Sequence, residues 1–206
     1  MITKIYPDYP DYKALERIAR QLEEGAIIIF STGLAYAFGC NALHTRAVEN
    51  IYRIKGANLK KQHFAILCAD LANAAQYARI DQKAFRYIKE HIEEPITYLL
   101  PPLSSLPKVL KGNKEIGIRL AATPETKLLL ANLPFPLLTA SLPIRHEEYD
   151  YLTHPELVDE AYGKEAYTIV DGGIAPGGRT AIVKLEDGEV EMLRHAEEGF
   201  AFFYGS

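Results

Sequence analysis

Apolar residues recur along the chain at two spacings, which alternate from segment to segment. After Asp11, the residues Leu15, Ile18 and Leu22 are spaced by three and four, as on one face of an amphipathic helix, and Gly25 is expected to end that helix. Short apolar runs predict buried strands, which lie at 26–30, 34–40, 64–68, 96–100, 116–120, 136–141 and 167–173. The pattern therefore predicts helices and strands in alternation.

Residues that commonly cap helices stand between several of these runs. We expect Thr45 to cap a helix that ends at Gly56, and Asp70 and Asp81 to begin two further helices. Thr123 is followed by a proline, which is the favoured arrangement of an N-cap and a first helical residue. Each of these segments separates two predicted strands.

The end of the chain carries a hairpin pattern. Strands at 180–185 and 189–194 flank Glu186-Asp187-Gly188, a turn signal. Strands that alternate with helices favour an α/β domain of three layers, a mixed twisted β-sheet with helices on both faces. No repeat or linker divides the sequence, so we expect residues 1–206 to form one domain.

Composition removes several classes of protein. The 206 residues are 48% hydrophobic and 24% charged with a net charge of −4, which argues against disorder and against a global positive field for nucleic acid. The apolar runs are far too short to cross a membrane, and the N-terminus lacks the pattern of a signal peptide. Cys40 and Cys68 are expected to be buried in a reducing compartment, so we expect a cytoplasmic protein.

Familiar catalytic motifs give no site. The six histidines lack metal-binding spacing and there is no Gly-x-Ser-x-Gly elbow, so neither a metal site nor a catalytic residue is assigned. The segment 173–180 resembles a phosphate-binding loop with Arg179 in place of lysine. The residues after it alternate as a strand does, which favours a glycine-rich connection between strands.

Two basic features each have two interpretations. Segment 46–61 carries a local charge of +4, typical of either a solvated helix end or an anion site for a nucleotide or RNA. Arg119 lies within an apolar predicted strand, where it either pairs with a buried acid or lines a cleft for phosphate or carboxylate.

Short motifs follow one another in a defined order. They are Thr32, Tyr36 and Gly39 after the first strand, Lys55 of a Lys-x-Arg segment, Pro95 and Thr97 of Gly-Pro-x-Thr, Arg119 of an arginine strand, Ser141 of Thr-Ser-Ala-Asn, Thr180 of a Ser-Thr pair, and a late Arg194. Over nearly the whole chain, this order resembles the YrdC/YciO-type domain of threonylcarbamoyl-AMP synthases. Ala57 stands where that family has the second basic residue, and Pro143 stands where it has asparagine. Such substitutions are similar to those of the YciO branch.

The resemblance implies a three-layer domain that uses ATP with Mg²⁺, L-threonine and bicarbonate to prepare the threonylcarbamoyl group of certain tRNAs. It implies nucleotide contacts from Lys55, Arg119, Ser141, Thr97, Thr180 and Arg194, and threonine contacts from Thr32 and Tyr36. The alternative is a YciO-type protein without synthase activity that binds tRNA, rRNA or other double-stranded RNA. Its RNA contacts would come from Arg53, Lys55, Lys60 and Lys61.

Overall fold

Ten strands form one mixed sheet in a computed structural model of the chain, which describes residues 1–56, 64–103, 106, 110 and 114–198. Their order across the sheet is β1-β8-β2-β3-β7-β4-β6-β5-β10-β11, while β12 pairs separately with β9. The strands are β1 Ile2–Lys4, β2 Ile27–Ser31, β3 Tyr36–Asn41, β4 Ala65–Cys68, β5 Ile96–Leu100, β6 Ile116–Leu120, β7 Leu137–Ser141, β8 Ile169–Asp171, β9 Gly178–Arg179, β10 Ala181–Glu186, β11 Glu189–Arg194 and β12 Glu197–Glu198.

Six α-helices are described, and five begin at the polar caps discussed below. They are α1 Tyr12–Glu23, α2 Thr45–Ile54, α3 Leu71–Ala74, α4 Gln82–Glu90, α5 Pro124–Ala131 and α6 Pro155–Tyr162. Two 3₁₀ helices, Tyr149–Leu152 and Gly163–Glu165, flank α6. None of the helices in the described ranges has the length and apolar character needed to cross a bilayer.

The two faces of the sheet pack against different helices. Side chains alternate between the faces along each strand, so Ile66 and Leu67 of β4 point in opposite directions. Ile66 belongs to the core that α2, α3, α4 and α6 cover, and this side is called the first face. Leu67 belongs to a smaller core on the second face, which α1 and α5 cover. The predicted three-layer α/β arrangement is therefore confirmed.

Helix α1 illustrates how the apolar spacing produces a layer. Its residues Leu15, Ile18 and Leu22 are buried against the second face, and complete burial of such a side chain contributes about 1.5–3 kcal/mol. Asp11 caps the helix by accepting the Ala14 amide. The helix ends just before Gly25, whose φ of 96° suits glycine.

Most of the predicted boundaries are confirmed and one cap is corrected. Asp70, Asp81 and Thr123 cap α3, α4 and α5 as predicted. Thr45 is the first residue of α2 rather than its cap, because His44 Nδ1 already accepts the Ala47 amide at 3.2 Å. The patterns did not predict β1, β9, β12 or α6, and β9 lies in the segment interpreted as a glycine-rich connection.

Candidate ligand-binding cavity

A row of small residues crosses the second face of the sheet. Gly39 of β3 pairs with Thr139 of β7, Thr139 with Ala65 of β4, and Ala65 with Gly117 of β6, and directly paired residues point to the same face. The Phe30 ring covers Gly39, and a side chain at Gly117 would lie 2.7 Å from the Phe64 carbonyl oxygen. Between them, Thr139 and Ala65 are the two members of the row that line a hollow and form its floor.

The neighbouring row of paired residues on the same face contains charged and polar side chains. Leu137 and Leu67 belong to the core of the second face, and the same row continues through Arg119 and Thr97 to Ile182. The sheet thus passes from apolar core to polar wall within five strands. A cavity of about 360 Å³ opens here, and it is lined by Thr32, Leu34, Ala35, Tyr36, Ala37, Lys55, Phe64, Ala65, Thr97, Arg119, Thr139, Ala140, Ser141, Gly178, Arg179, Thr180, Ile182 and Arg194. We call it the basic cavity.

Lys55 enters the basic cavity from the C-terminal end of α2, where it is the C-cap residue. Its Nζ donates to the Ser141 carbonyl oxygen at 2.6 Å and lies 3.0 Å from Ser141 Oγ. Burial lowers the pKa of the Lys55 ammonium to about 8. The two interactions connect α2 to the end of β7, and they hold a cation whose charge is weakly solvated.

Arg119 points into the cavity rather than pairing with an acid. Its guanidinium donates to the Thr32 carbonyl oxygen at 3.1 Å, and the described residues offer it no carboxylate partner. Burial lowers the Arg119 pKa to about 10. Because a desolvated guanidinium without a counter-ion attracts anions strongly, the geometry favours the cleft interpretation over the structural ion pair.

Arg194, at the end of β11, lines the cavity next to Thr180. Its Nε and one terminal nitrogen donate to the Thr180 carbonyl oxygen at 3.2 and 2.9 Å. Thr180 Oγ1 also lies 2.9 Å from Thr97 Oγ1. Burial, together with the nearby positive charge of Arg179, lowers the pKa of Arg194. This part of the lining therefore presents two hydroxyl groups beside a cation.

Arg179 is a fourth cation that the motif comparison did not assign to the site. It lines the basic cavity and forms two hydrogen bonds with the Glu197 carboxylate, at 3.0 and 2.6 Å. This pair joins β9 to β12 at the edge of the cavity. The signal in the sequence was the glycine-rich segment before Arg179, in which the amides and the guanidinium could both face a ligand.

The charged side chains described in the lining of the basic cavity are all positive. Among the described residues that line it, four are cations and none is Asp or Glu. Within the described parts of the chain, no cluster of His, Cys, Asp or Glu could hold a metal ion. Such a lining suits an anion, and it offers a divalent cation no carboxylate ligand.

The two predicted threonine contacts are already engaged in local hydrogen bonds. Thr32 Oγ1 donates to the Ala35 carbonyl oxygen at 2.8 Å, closing the turn after β2. The Tyr36 hydroxyl donates to the Gly173 carbonyl oxygen at 2.8 Å, and burial raises its pKa. Both residues line the cavity, and the oxygen lone pairs of Thr32 remain available as acceptors.

The structure brings together every residue that the motifs assigned to nucleotide or threonine. The residues assigned to RNA have separate outcomes. Arg53 is exposed and lines another depression with His44 and Asn50. Lys60 and Lys61, like Ala57, lie outside the described residues. Sequence reasoning missed Thr139 and Ala65. The same strands carry Leu67 and Leu137 two positions away, so spacing along one strand gave no signal for either residue.

Comparison with known proteins finds a matching family model and similar curated proteins. A family model described as telomere recombination, covering Sua5, YciO and YrdC, matches residues 20–196. The YciO protein of Escherichia coli is 28% identical over 193 residues, which cover 92% of both proteins. Threonylcarbamoyl-AMP synthase of Coxiella burnetii is 25% identical over 187 residues, covering 89% of this chain and 99% of that protein.

Two solved structures have the same fold. The crystal structure of E. coli YciO superposes with a TM-score of 0.84 at 25% identity and covers 98% of both chains. The crystal structure of P. abyssi Sua5 complexed with L-threonine gives a TM-score of 0.81 at 22% identity, covering 95% of this chain and 57% of that one. At 22% identity, the similarity to P. abyssi Sua5 is evidence of a shared fold.

Proposed function

The chain belongs to the Sua5, YciO and YrdC family, and from this premise we propose that its basic cavity binds ATP, L-threonine and bicarbonate. The proposed products are threonylcarbamoyl-AMP and pyrophosphate, the first of which carries a threonylcarbamoyl group for tRNA. Two relatives support the choice of substrates: the Coxiella burnetii protein is a threonylcarbamoyl-AMP synthase by name, and P. abyssi Sua5 was crystallised with L-threonine.

The lining of the basic cavity carries the proposal. Lys55, Arg119 and Arg194 converge on one space together with hydroxyl groups, and no carboxylate stands among the described lining residues. A triphosphate concentrates negative charge, and each charge-assisted hydrogen bond to it contributes about 1.5–3 kcal/mol. Neutral hydroxyls such as those of Thr97 and Thr180 suit the ribose and the amino acid.

The proposed reaction makes defined demands on these residues. The amine of threonine combines with bicarbonate and loses water to give a carbamate. A carbamate oxygen then bonds to the α-phosphorus, while the bond from that phosphorus to the bridging oxygen breaks and pyrophosphate leaves with the electron pair. Lys55, Arg119 and Arg194 stabilise the charge that develops on the phosphates, and the walls hold the carbamate in line with the α-phosphorus.

Mg²⁺ is part of the proposed substrate rather than a resident metal. The cavity lining supplies hydroxyls and carbonyls but no described carboxylate, so the ion would be carried by the phosphate oxygens. The Arg179–Glu197 pair places the Glu197 carboxylate at the edge, where it is already engaged by a guanidinium.

The test is pyrophosphate release from ATP, measured with and without L-threonine and with and without bicarbonate. We expect release that needs all three substrates. Replacing Arg119 by methionine should abolish it, while the matched change Arg53→Met, at an exposed arginine outside the cavity, should leave it unchanged. Release that ignores threonine or bicarbonate would contradict the proposed reaction.

A further inference from the structure

The connection between β8 and β9 leads directly into the lining of the basic cavity, and it has no regular secondary structure. It spans residues 172–177, and Gly173 and Gly177 have φ of 78° and 90°. Gly178, Arg179 and Thr180 follow it and line the cavity. The position of three lining residues therefore depends on what holds this connection in place.

Tyr149 contacts the end of this connection from a separate segment of the chain. Its hydroxyl accepts the Gly178 amide at 2.7 Å in a buried hydrogen bond. Its ring also lies against Gly177, where an added Cβ would come within 2.7 Å of the ring. Tyr149 itself is only 2% exposed and begins the 3₁₀ helix that follows β7 and Ser141.

Other contacts hold the connection before Gly178. The Tyr36 hydroxyl donates to the Gly173 carbonyl oxygen and accepts the Gly172 amide, and the Gly177 amide donates to the Leu34 carbonyl oxygen at 2.8 Å. These contacts come from the β2–β3 side of the cavity, while the Ala175 amide donates to the Thr153 carbonyl oxygen at 3.0 Å. Tyr149 differs because it holds a residue of the lining itself, directly before Arg179.

We propose that Tyr149 is a positioning residue whose hydroxyl holds the Gly178 amide and thereby sets where Arg179 and Thr180 stand in the basic cavity. Arg179 carries a guanidinium and Thr180 a hydroxyl, so a shift at Gly178 moves two groups that face the ligand together. The part of the inference that concerns ligand binding rests on the proposed function. The part that concerns the position of Gly178 rests on the contacts of Tyr149 alone.

The variant that tests it is Tyr149→Phe, which keeps the ring against Gly177 and removes only the hydroxyl. The matched control is Tyr162→Phe. Tyr162 is also buried, at 1% exposure, and its hydroxyl donates at 2.7 Å to the Pro143 carbonyl oxygen, outside the 172–180 segment. Both changes remove one hydrogen bond between the hydroxyl of a buried tyrosine and a backbone group.

Three measurements are made on both variants: hydrogen exchange of the Gly178 amide by NMR, the dissociation constant of ATP by calorimetry, and the melting temperature. We expect Tyr149→Phe to speed exchange at Gly178 and to weaken ATP binding about tenfold relative to Tyr162→Phe. The two variants should melt within a few degrees of each other, because each loses one hydrogen bond of a buried tyrosine hydroxyl to the backbone.

Two outcomes overturn the inference. One is exchange at Gly178 that stays as slow as in the control. The other is fast exchange with ATP binding equal to that of the control, which would make the hydroxyl a structural contact without influence on the ligand.

Failure of the proposed function is separately visible, because it shows in the unmodified protein. If that protein does not bind ATP, inorganic pyrophosphate replaces it as a probe that needs only the cations of the cavity, with the same expected tenfold difference. If the unmodified protein binds neither probe, both the proposed function and the ligand part of the inference are overturned, while the exchange measurement still decides whether Tyr149 holds Gly178.

Discussion

At the scale of single residues, Lys55 has the most unusual environment among the cations of the basic cavity. It is the C-cap of α2, where the helix dipole favours a positive charge, yet burial lowers its pKa to about 8. Its partners are a carbonyl oxygen and a hydroxyl of Ser141 rather than a carboxylate. An anionic ligand would supply the missing negative charge.

Replacing Lys55 by alanine should therefore weaken ATP binding by about 1.5–3 kcal/mol, the contribution of a charge-assisted hydrogen bond. Calorimetric titration measures the dissociation constant. Arg53→Ala serves as the control, since Arg53 belongs to the same helix and lies outside the cavity. An unchanged constant in Lys55→Ala would remove this lysine from the site.

The lowered pKa of Lys55 also predicts a pH dependence. Above about pH 8 the free protein holds Lys55 neutral, so an anion must bind together with a proton. We expect ATP affinity to be steady below pH 8 and to fall by up to tenfold per pH unit above it. Lys55→Arg should flatten this profile, because arginine keeps its charge throughout.

Arg119 makes a different prediction because its shape matters as well as its charge. Arg119→Lys keeps a cation but loses the planar set of donors that reaches both Thr32 and a ligand. We expect weaker ATP binding with a melting temperature within a few degrees of the unmodified protein. A large loss of melting temperature with normal binding would instead indicate a structural role.

At the scale of elements, the basic cavity depends on small residues that two neighbouring strands place side by side. Thr139 of β7 and Ala65 of β4 are each unremarkable within their own strands, but they pair directly. Together they leave uncovered a part of the second face that large side chains would otherwise fill. The hollow is therefore a property of strand register.

Ala65→Leu tests the role of this pair. A leucine at this position of β4 would extend over the second face into the cavity, so we expect ATP binding to fall at least tenfold while the fold is retained. Calorimetry and thermal melting measure the two effects. Ala65→Ser, which adds a single oxygen atom, is the matched control and should bind nearly as well as the unmodified protein.

At the scale of the whole molecule, the enzyme and the RNA-binding alternative require different surfaces. The enzyme uses the interior of the basic cavity, whereas RNA would need exposed cations of segment 46–61 on a chain whose net charge is −4. Arg53 is exposed and outside the cavity, which fits an external contact. The two functions can be separated by mutation.

Neutralising Lys60 and Lys61 together should leave threonine-dependent pyrophosphate release unchanged if the protein is an enzyme. If it binds RNA, the same change should weaken binding to structured RNA and flatten its salt dependence, because fewer counterions are released. Filter binding over a salt series measures the second effect.

Restoring the family's arginine with Ala57→Arg should raise pyrophosphate release by adding a bidentate phosphate contact. Ala57→Lys, which adds charge without the bidentate geometry, is its control and should raise release less. Strong salt-dependent RNA binding with no pyrophosphate release, even in Ala57→Arg, would favour the alternative function.

Local sequence determined most of the elements of this protein. Asp81 and Thr123 cap their helices, and Asp187-Gly188 forms the turn between β10 and β11, because these features depend on residues three or fewer positions away. The resemblance of the motif order to a known family also implied that Lys55, Arg119 and Arg194 belong to one site.

Only the tertiary structure decided how these elements combine. Lys55 meets Ser141 86 residues away, Arg119 meets Thr32 at a separation of 87, and β1 pairs with β8 near the other end of the chain. The hollow needs the register of β7 against β4, and the hydroxyl of Tyr149 meets the amide of Gly178, 29 residues further along the chain. No local pattern predicts such contacts, because strand order and register are set by packing between segments that are far apart in the sequence.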